Sequence, residues 1–469
     1  MFEHCKPEEA GVDSRGITRF LDDMKQKKLH MHAMMVLRHG KVIFDSSFEP
    51  WSMDKKHMLF SLSKSFTSTA VGFAAQDGLL SLSDRLVDFF PDLLTNPPCE
   101  NMRLITVKHL LTMNTGHQSE PIRFSDNWER EFVRSYIEFE PGTHFLYNTF
   151  GTYMLSAIVQ KVTGKKLVDY LREKLFEPLG MSEDIWSEES PTGVATGGYG
   201  LNVRVSDIAK LGQFYLQKGK WNGKQLLNEQ WISDAQTPWS DNSPSGGDGD
   251  WGQGYGFQFW MCRPAKVFRG DGAFGQYCII CPIQDMVIAI NSGVGDMGAV
   301  MQSIWDNILP AVGKADENAA AQTEPMGSFV TNAAWEDAGE EAAAPVPDEM
   351  WLGKYVFAKG SPTGVTALEI ANGTACLYCG ESKNALPLIK DAWQHVPLAV
   401  SNDESGYLSE VAVRAARTKD ELILHLCYTK TPFEDVLRIR FTLHGARVKW
   451  QRNVGFGDNG EMEFFGIRV

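Results

Sequence analysis

Residues 57–78 read HMLFSLSKSFTSTAVGFAAQDG, and the reading of this stretch decides the fold. Ser61 and Lys64 stand three apart at its start. A helix over 63–76 follows, stopped by Asp77-Gly78, with glycine just past the end where a left-handed residue is favoured. Its body is small: Ser65, Thr67, Ser68, Thr69, Ala70, Gly72, Ala74 and Ala75. Such residues let a central helix pack closely against its neighbours. Residues three apart on a helix share a face, so the Ser61 hydroxyl and the Lys64 amine meet. A serine hydroxyl is a weak nucleophile until a base removes its proton, and burial lowers a lysine pKa toward that task. The field at the helix start favours developing negative charge. A plain helix cap at Ser61 is the competing local reading. The same spacing recurs at Ser52-Met-Asp-Lys55, but that copy precedes no helix, and Asp54 beside Lys55 keeps the amine charged.

Outward from this helix, 34–38 and 41–48 are strand-like runs joined at His39-Gly40, a hairpin signal. Three more strand-like runs come late, at 256–261, 276–281 and 286–291. Between them lie helical patterns at 106–113, 152–163 (closed by Gly164) and 207–218 (closed by Gly219). The expected fold is therefore α+β: a sheet built from both ends of the domain, antiparallel at least in part, flanked by helices with a helical region inserted. A composition break follows. Residues 315–349 hold nine acidic residues and no basic one, so most of the net charge of −14 sits there, and the segment reads as a solvated linker. After it, short alternating runs punctuated by Asn372-Gly373, His444-Gly445 and Asn459-Gly460 point to an all-β barrel or sandwich. The division expected is 1–313, a linker over 314–349, and 350–469. A chain of 469 residues is long enough for two or three domains.

The acidic balance argues against nucleic acid or an anionic membrane surface as a partner. No stretch approaches the roughly 18 apolar residues of a membrane span, and the start, MFEHCKPEEA, lacks a signal-peptide pattern. A cytoplasmic protein is expected. Cys278–Cys281 and Cys376–Cys379 have metal-ligand spacing, but on strands residues three apart face opposite sides, and no second pair completes either site. No metal is expected.

Two further stretches carry chemistry. In Pro141-Gly-Thr-His-Phe-Leu-Tyr147-Asn148-Thr149 a turn places Tyr147 on a loop before a helix. It is either a phenolic base and proton relay or a loop anchor. In Phe268-Arg-Gly-Asp-Gly-Ala-Phe-Gly-Gln276 glycines between two strands permit close backbone approach. Backbone N–H groups there suit an oxyanion. Arg269 either binds a substrate carboxylate or forms a local ion pair with Asp271.

In this order the three elements resemble the serine β-lactamase and penicillin-binding-protein superfamily, and within it the class C β-lactamase-like group of esterases, amidases and D-aminopeptidases. HAMMVLRHGKVIFD, ITVKHLLTMNTGH, PGTHFLYNTFGTYMLSAIVQKVTGK and GGYGLNVRVSDIAKLGQFYLQKGKWNGKQLL are similar to that group as well, so the resemblance spans roughly residues 7–310. It implies a β-lactamase-like fold, Ser61 as acylated nucleophile, Lys64 as its proton-transfer partner and Tyr147 as shared base and acid. The family asparagine two residues after that tyrosine is Thr149 here, with Asn148 one position away. Arg269 and Asp271 replace the usual third-motif residues, and the second oxyanion donor falls near Gly272. His117 opens a polar loop and is either a substrate contact or structural. The expectation is a serine hydrolase acting on a small ester, amide or short peptide, without cofactor, with an oligomer possible. A true β-lactamase or D,D-carboxypeptidase, and a catalytically silent binding protein, are the alternatives.

Overall fold

The computed structural model describes residues 2–94, 98–121, 125–315, 351–358, 364–371, 373–389, 392–399, 409–418, 420–457 and 460–469. The expected acidic linker therefore lies almost wholly outside the described residues. The N-terminal part is built on a six-stranded antiparallel sheet. Its strands are β1 (Met31–Arg38), β2 (Lys41–Ser47), β6 (Trp260–Met261), β7 (Phe268–Gly272), β8 (Gln276–Cys281) and β9 (Met286–Ser292), in the order β2-β1-β9-β8-β7-β6. The first hairpin and the last three strands thus meet in mid-sheet, as β1 pairs with β9 from Met31↔Ser292 to Arg38↔Met286. A small second sheet joins β3 (His57–Met58), β4 (Trp186–Ser187) and β5 (Leu201–Val203).

Strand alternation divides the core in two. On one face Ala33, Met35, Leu37, Cys278, Ile280, Val287 and Ala289 meet α2 (Ser63–Gln76), α4 (Thr149–Thr163) and α5 (Val205–Leu216). On the other, Met34, Val36, Tyr277, Ile279, Cys281, Ile288 and Ile290 meet α1 (Arg15–Gln26) and α6 (Met297–Ser303). The remaining labelled helix, α3 (Val107–Leu111), packs on the first face. Cys278 and Cys281 accordingly lie in different cores, and burial pushes both thiols up. No group of three His, Cys, Asp or Glu among the described residues is placed to hold a metal ion. No described helix is long and apolar enough to cross a membrane.

Helix α2 has the bounds its sequence implies. Helix α4 starts earlier than its apolar pattern, because the Asn148 side chain accepts from Gly151 N at 3.1 Å and supplies the cap. The strand expected over 256–261 is a correction: only Trp260–Met261 is strand. Gln258 turns the chain with φ +63° and sends its amide to the carbonyls of Leu110 and Leu111, so the apolar run is a buried loop.

The C-terminal part is one antiparallel sheet of ten strands: β10 (Gly353–Phe357), β11 (Val365–Ala371), β12 (Thr374–Cys379), β13 (Ser382–Pro387), β14 (Gln394–Pro397), β15 (Glu410–Arg417), β16 (Glu421–Cys427), β17 (Glu434–Thr442), β18 (Gly445–Arg452) and β19 (Met462–Arg468). Its order is β13-β12-β11-β10-β19-β18-β17-β16-β15-β14, a nearly closed barrel around Tyr355, Leu368, Leu377, Val413, Leu424 and Trp450. Of the two architectures expected, the barrel is the one adopted. Interior and exterior alternate along β12, so Cys379 faces the barrel core and Cys376 does not.

The two parts touch beside β3. Met58 N donates to Lys430 O at 2.8 Å, and Asn453 Nδ2 donates to Gly293 O at 3.2 Å. Trp51 packs on Ala412 and Cys427. Lys55 of the second S-x-x-K pairs with Glu410.

Candidate active site

Ser61 sits in a short 3-10 turn, Phe60–Leu62, that feeds directly into α2. Three contacts fix this turn. Leu59 N donates to Leu201 O at 3.0 Å on β5. The glycines of β7 press against it from the side: a Cβ on Gly272 would lie 2.0 Å from Leu59 O, and one on Gly270 would lie 2.4 Å from Ser65 Oγ. Phe60 holds φ +47°, a sparsely populated conformation for a bulky residue that persists only where packing imposes it. Its ring meets Phe274 edge-on at 5.3 Å, and Phe433 and Phe456 of the barrel at 6.2 and 5.7 Å.

Lys64 is buried. Its Nζ lies 3.0 Å from Ser61 Oγ, 3.3 Å from Thr149 Oγ1 and 2.8 Å from Gly198 O, and 4.8 Å from the centre of the Tyr147 ring. Two of the small polar side chains of α2 bond to distant backbone: Ser65 donates to Gln258 O and Thr67 to Gly197 O. Such bonds offset part of the cost of a polar helix in a buried position.

The Tyr147 ring stacks on Trp260 at 5.0 Å and meets Tyr255 edge-on at 6.1 Å. Burial first, and then the charge of Asp271, push its phenol up. The resting group is therefore a neutral phenol.

Ser61, Lys64, Tyr147 and Thr149 converge, and Gly272 lies against the Ser61 turn. Asn148 is fully buried; its amide points back into α4 and toward His117, 3.5 Å away. His117 is buried too, held between Thr115 Oγ1 and Ser135 Oγ, each at 2.8 Å, and burial holds its pKa down at about 4. It has the structural position of the two considered. Arg269 has no exposed surface. Its guanidinium binds Asp271 Oδ2 at 2.9 Å and Asp250 O at 2.9 Å, with Trp251 alongside at 4.9 Å. Of the two readings of Arg269, this is the local ion pair. Burial pushes the Asp271 carboxyl up, and Arg269 and the Trp251 Nε1–H offset part of that.

Two participants carried no signal in the sequence. Gly198 gives Lys64 its shortest contact through a backbone oxygen. Glu120 Oε1 accepts Thr149 N at 2.6 Å and Phe150 N at 3.3 Å, which places a carboxylate at the positive end of α4, just after Tyr147 in the chain.

Fold and site together define a serine hydrolase. Residues 18–312 match the model of the family described as Beta-lactamase, and the chain belongs to that family. It is 22% identical over 307 residues to the 6-aminohexanoate-dimer hydrolase of Paenarthrobacter ureafaciens, covering 60% of this chain and 78% of that one. Among solved structures, EstCE1, a hydrolase with promiscuous acyltransferase activity, superposes with a TM-score of 0.53 at 17% identity, over 65% of this chain and 99% of the other. The octameric penicillin-binding protein homologue from Pyrococcus abyssi superposes with a TM-score of 0.50 at 16% identity, and covers 97% of this chain and 99% of its own, barrel included.

Proposed function

We propose that the protein hydrolyses small esters or amides through an acyl-enzyme on Ser61. The observation that carries this reading is the 3.0 Å contact between Lys64 Nζ and Ser61 Oγ at the start of a buried helix. Lys64 takes the Ser61 proton as Oγ attacks the carbonyl carbon. The oxyanion forms between the Ser61 N–H and the backbone at Gly272. Tyr147 gives its proton to the departing oxygen or nitrogen and regains one from Lys64. Water then attacks the acyl carbon, its proton leaves through the same pair, and the acid departs with Ser61 restored.

Phe60, Phe274, Phe433 and Phe456 form an aromatic wall beside the nucleophile turn, which supports compact acyl groups as substrates. Thr149 stands where an asparagine is usual and Arg269 is consumed by its ion pair, which supports poor turnover of β-lactams relative to short-chain esters. The test is covalent labelling by a fluorophosphonate, mapped to Ser61, followed by rates on an ester and amide panel with nitrocefin included. Labelling elsewhere than Ser61 overturns the mechanism. Nitrocefin turnover faster than that of p-nitrophenyl butyrate makes the protein a β-lactamase.

A further inference from the structure

Three histidines and one carboxylate meet where the barrel touches the strand before Ser61. His57 Nδ1 is 2.9 Å from the Met58 carbonyl, so that nitrogen carries the hydrogen. His57 Nε2 then accepts from His32 Nδ1 at 3.0 Å. His32 stacks flat on Trp51, with ring centres 3.6 Å apart, which holds its orientation. This leaves a lone pair on His32 Nε2, and the nearest charged atom is Glu434 Oε1 at 3.6 Å. The same oxygen lies 3.4 Å from His30 Nδ1. Glu434, His32 and His57 are all buried. Among the described residues, His32 Nε2 and both Glu434 oxygens make no hydrogen bond of good geometry.

A buried carboxylate facing an imidazole lone pair is unfavourable; one added proton removes the conflict. We propose that Glu434, His32 and His57 hold one shared proton across the domain border, and that this proton keeps β3 seated under the Ser61 turn. Glu434 is thus a positioning residue contributed by the barrel, acting through His57 and the Met58–Lys430 hydrogen bond. Its effect on Ser61 rests on the acyl-enzyme reading; the proton at the border does not.

Besides burial, the adjacent Asp435 adds to the rise of the Glu434 carboxyl, although Arg452 pairs with it at 2.7 and 2.8 Å and the Tyr428 hydroxyl donates to it. The Cys427 thiol is pushed up by burial, then by Glu434 itself. Lys55, Lys430 and His395 are gathered around Glu410 instead. Burial pushes the Glu434 carboxyl up, with His30 offsetting part of that. Burial also holds His32 well below its ordinary value and His57 down to about 4. A raised carboxyl stabilises docking at low pH, and that contribution is lost as pH rises through its docked value. The depressed imidazoles act oppositely, and their contribution is lost as pH falls below about 6.5.

Glu434→Gln separates the two effects, since the carboxamide is neutral at every pH and always has an N–H to donate. Hydrogen exchange at the Met58 amide of the full chain, corrected for intrinsic rates, reads docking. The ratio of protection in the Gln variant to that in the wild type is expected to rise with pH, by up to roughly tenfold per unit. A ratio that stays constant from about pH 5 to about pH 8 overturns the proposal. If the variant does not fold, imidazole ¹⁵N spectra of the wild type decide: His57 carrying hydrogen on Nδ1 with a shared proton at His32 Nε2 supports it, and hydrogen on His57 Nε2 overturns it. Fluorophosphonate labelling in the same samples is expected to follow Met58 protection. Labelling that ignores it removes the positioning role while leaving the acyl-enzyme reading intact.

Discussion

Thr149 Oγ1 stands 3.3 Å from Lys64 Nζ, while its neighbour Asn148 turns its side chain into the helix it caps. Two adjacent polar residues thus have separate tasks. Thr149→Ala is expected to lower kcat/KM roughly tenfold or more, since a hydrogen bond to a charged group contributes about 1.5–3 kcal/mol, with thermal stability nearly unchanged. Asn148→Ala is expected to cost about 1 kcal/mol of stability as a lost cap. Thermal melts and steady-state rates on the same two variants check the division; exchanged phenotypes would reassign the motif asparagine to Asn148.

Ser61→Ala is expected to abolish ester hydrolysis and fluorophosphonate labelling, by several orders of magnitude, with the melting temperature held. Ser52→Ala is expected to keep near-full activity, because Lys55 is committed to Glu410. A dead Ser52 variant would overturn the choice between the two S-x-x-K copies.

Tyr147→Phe retains the ring that stacks on Trp260 and removes only the hydroxyl. With a neutral phenol as proton donor, the loss is expected to be about 10²–10⁴ in kcat, and smaller for esters with acidic leaving alcohols, which need little protonation. Equal losses for p-nitrophenyl and ethyl esters would count against the donor role.

Asp271→Asn leaves the Arg269 guanidinium buried without its counter-charge. Breaking such a pair costs about 3–5 kcal/mol, so the urea midpoint is expected to fall markedly. A variant of normal stability but raised KM for acidic substrates would instead make Arg269 a substrate receptor.

Phe456 is 78% exposed, yet its ring meets Phe274 at 4.9 Å and Phe60 at 5.7 Å. Phe456→Ala is expected to leave stability within about 0.5 kcal/mol, as surface substitutions do, and to raise rates on long-chain relative to short-chain p-nitrophenyl esters. An unchanged chain-length profile would detach the barrel from substrate choice.

Local signals gave what local physics controls. The small-residue helix, the glycine stops and the alternation on β8 are short-range patterns, and α2 and β8 lie where those patterns fall. The Ser61–Lys64 contact was legible because one helical turn joins the two residues. What escaped depends on segments remote in sequence. Gly198 enters through a backbone oxygen, which has no residue signature. Glu120 became a cap only once its loop lay across α4. The fate of Arg269 was decided by the Trp251 and Asp250 segment closing over it, and Gln258 broke an apolar run because distant carbonyls needed a donor. The His32–His57–Glu434 cluster draws on three regions that no motif links.

The hydrogen bond from Met58 N to Lys430 O also orders events in time. Ser61 precedes Lys430 in the chain, so the serine is synthesised before the barrel residue that fastens its turn. The turn that carries Ser61 thus receives its last fastening only after the barrel has been synthesised and folded. A truncated or stalled chain ending before the barrel presents the serine and lysine without that fastening, and without the aromatic wall beside them. Synthesis through the barrel is in this way a precondition for the fully fastened Ser61 turn.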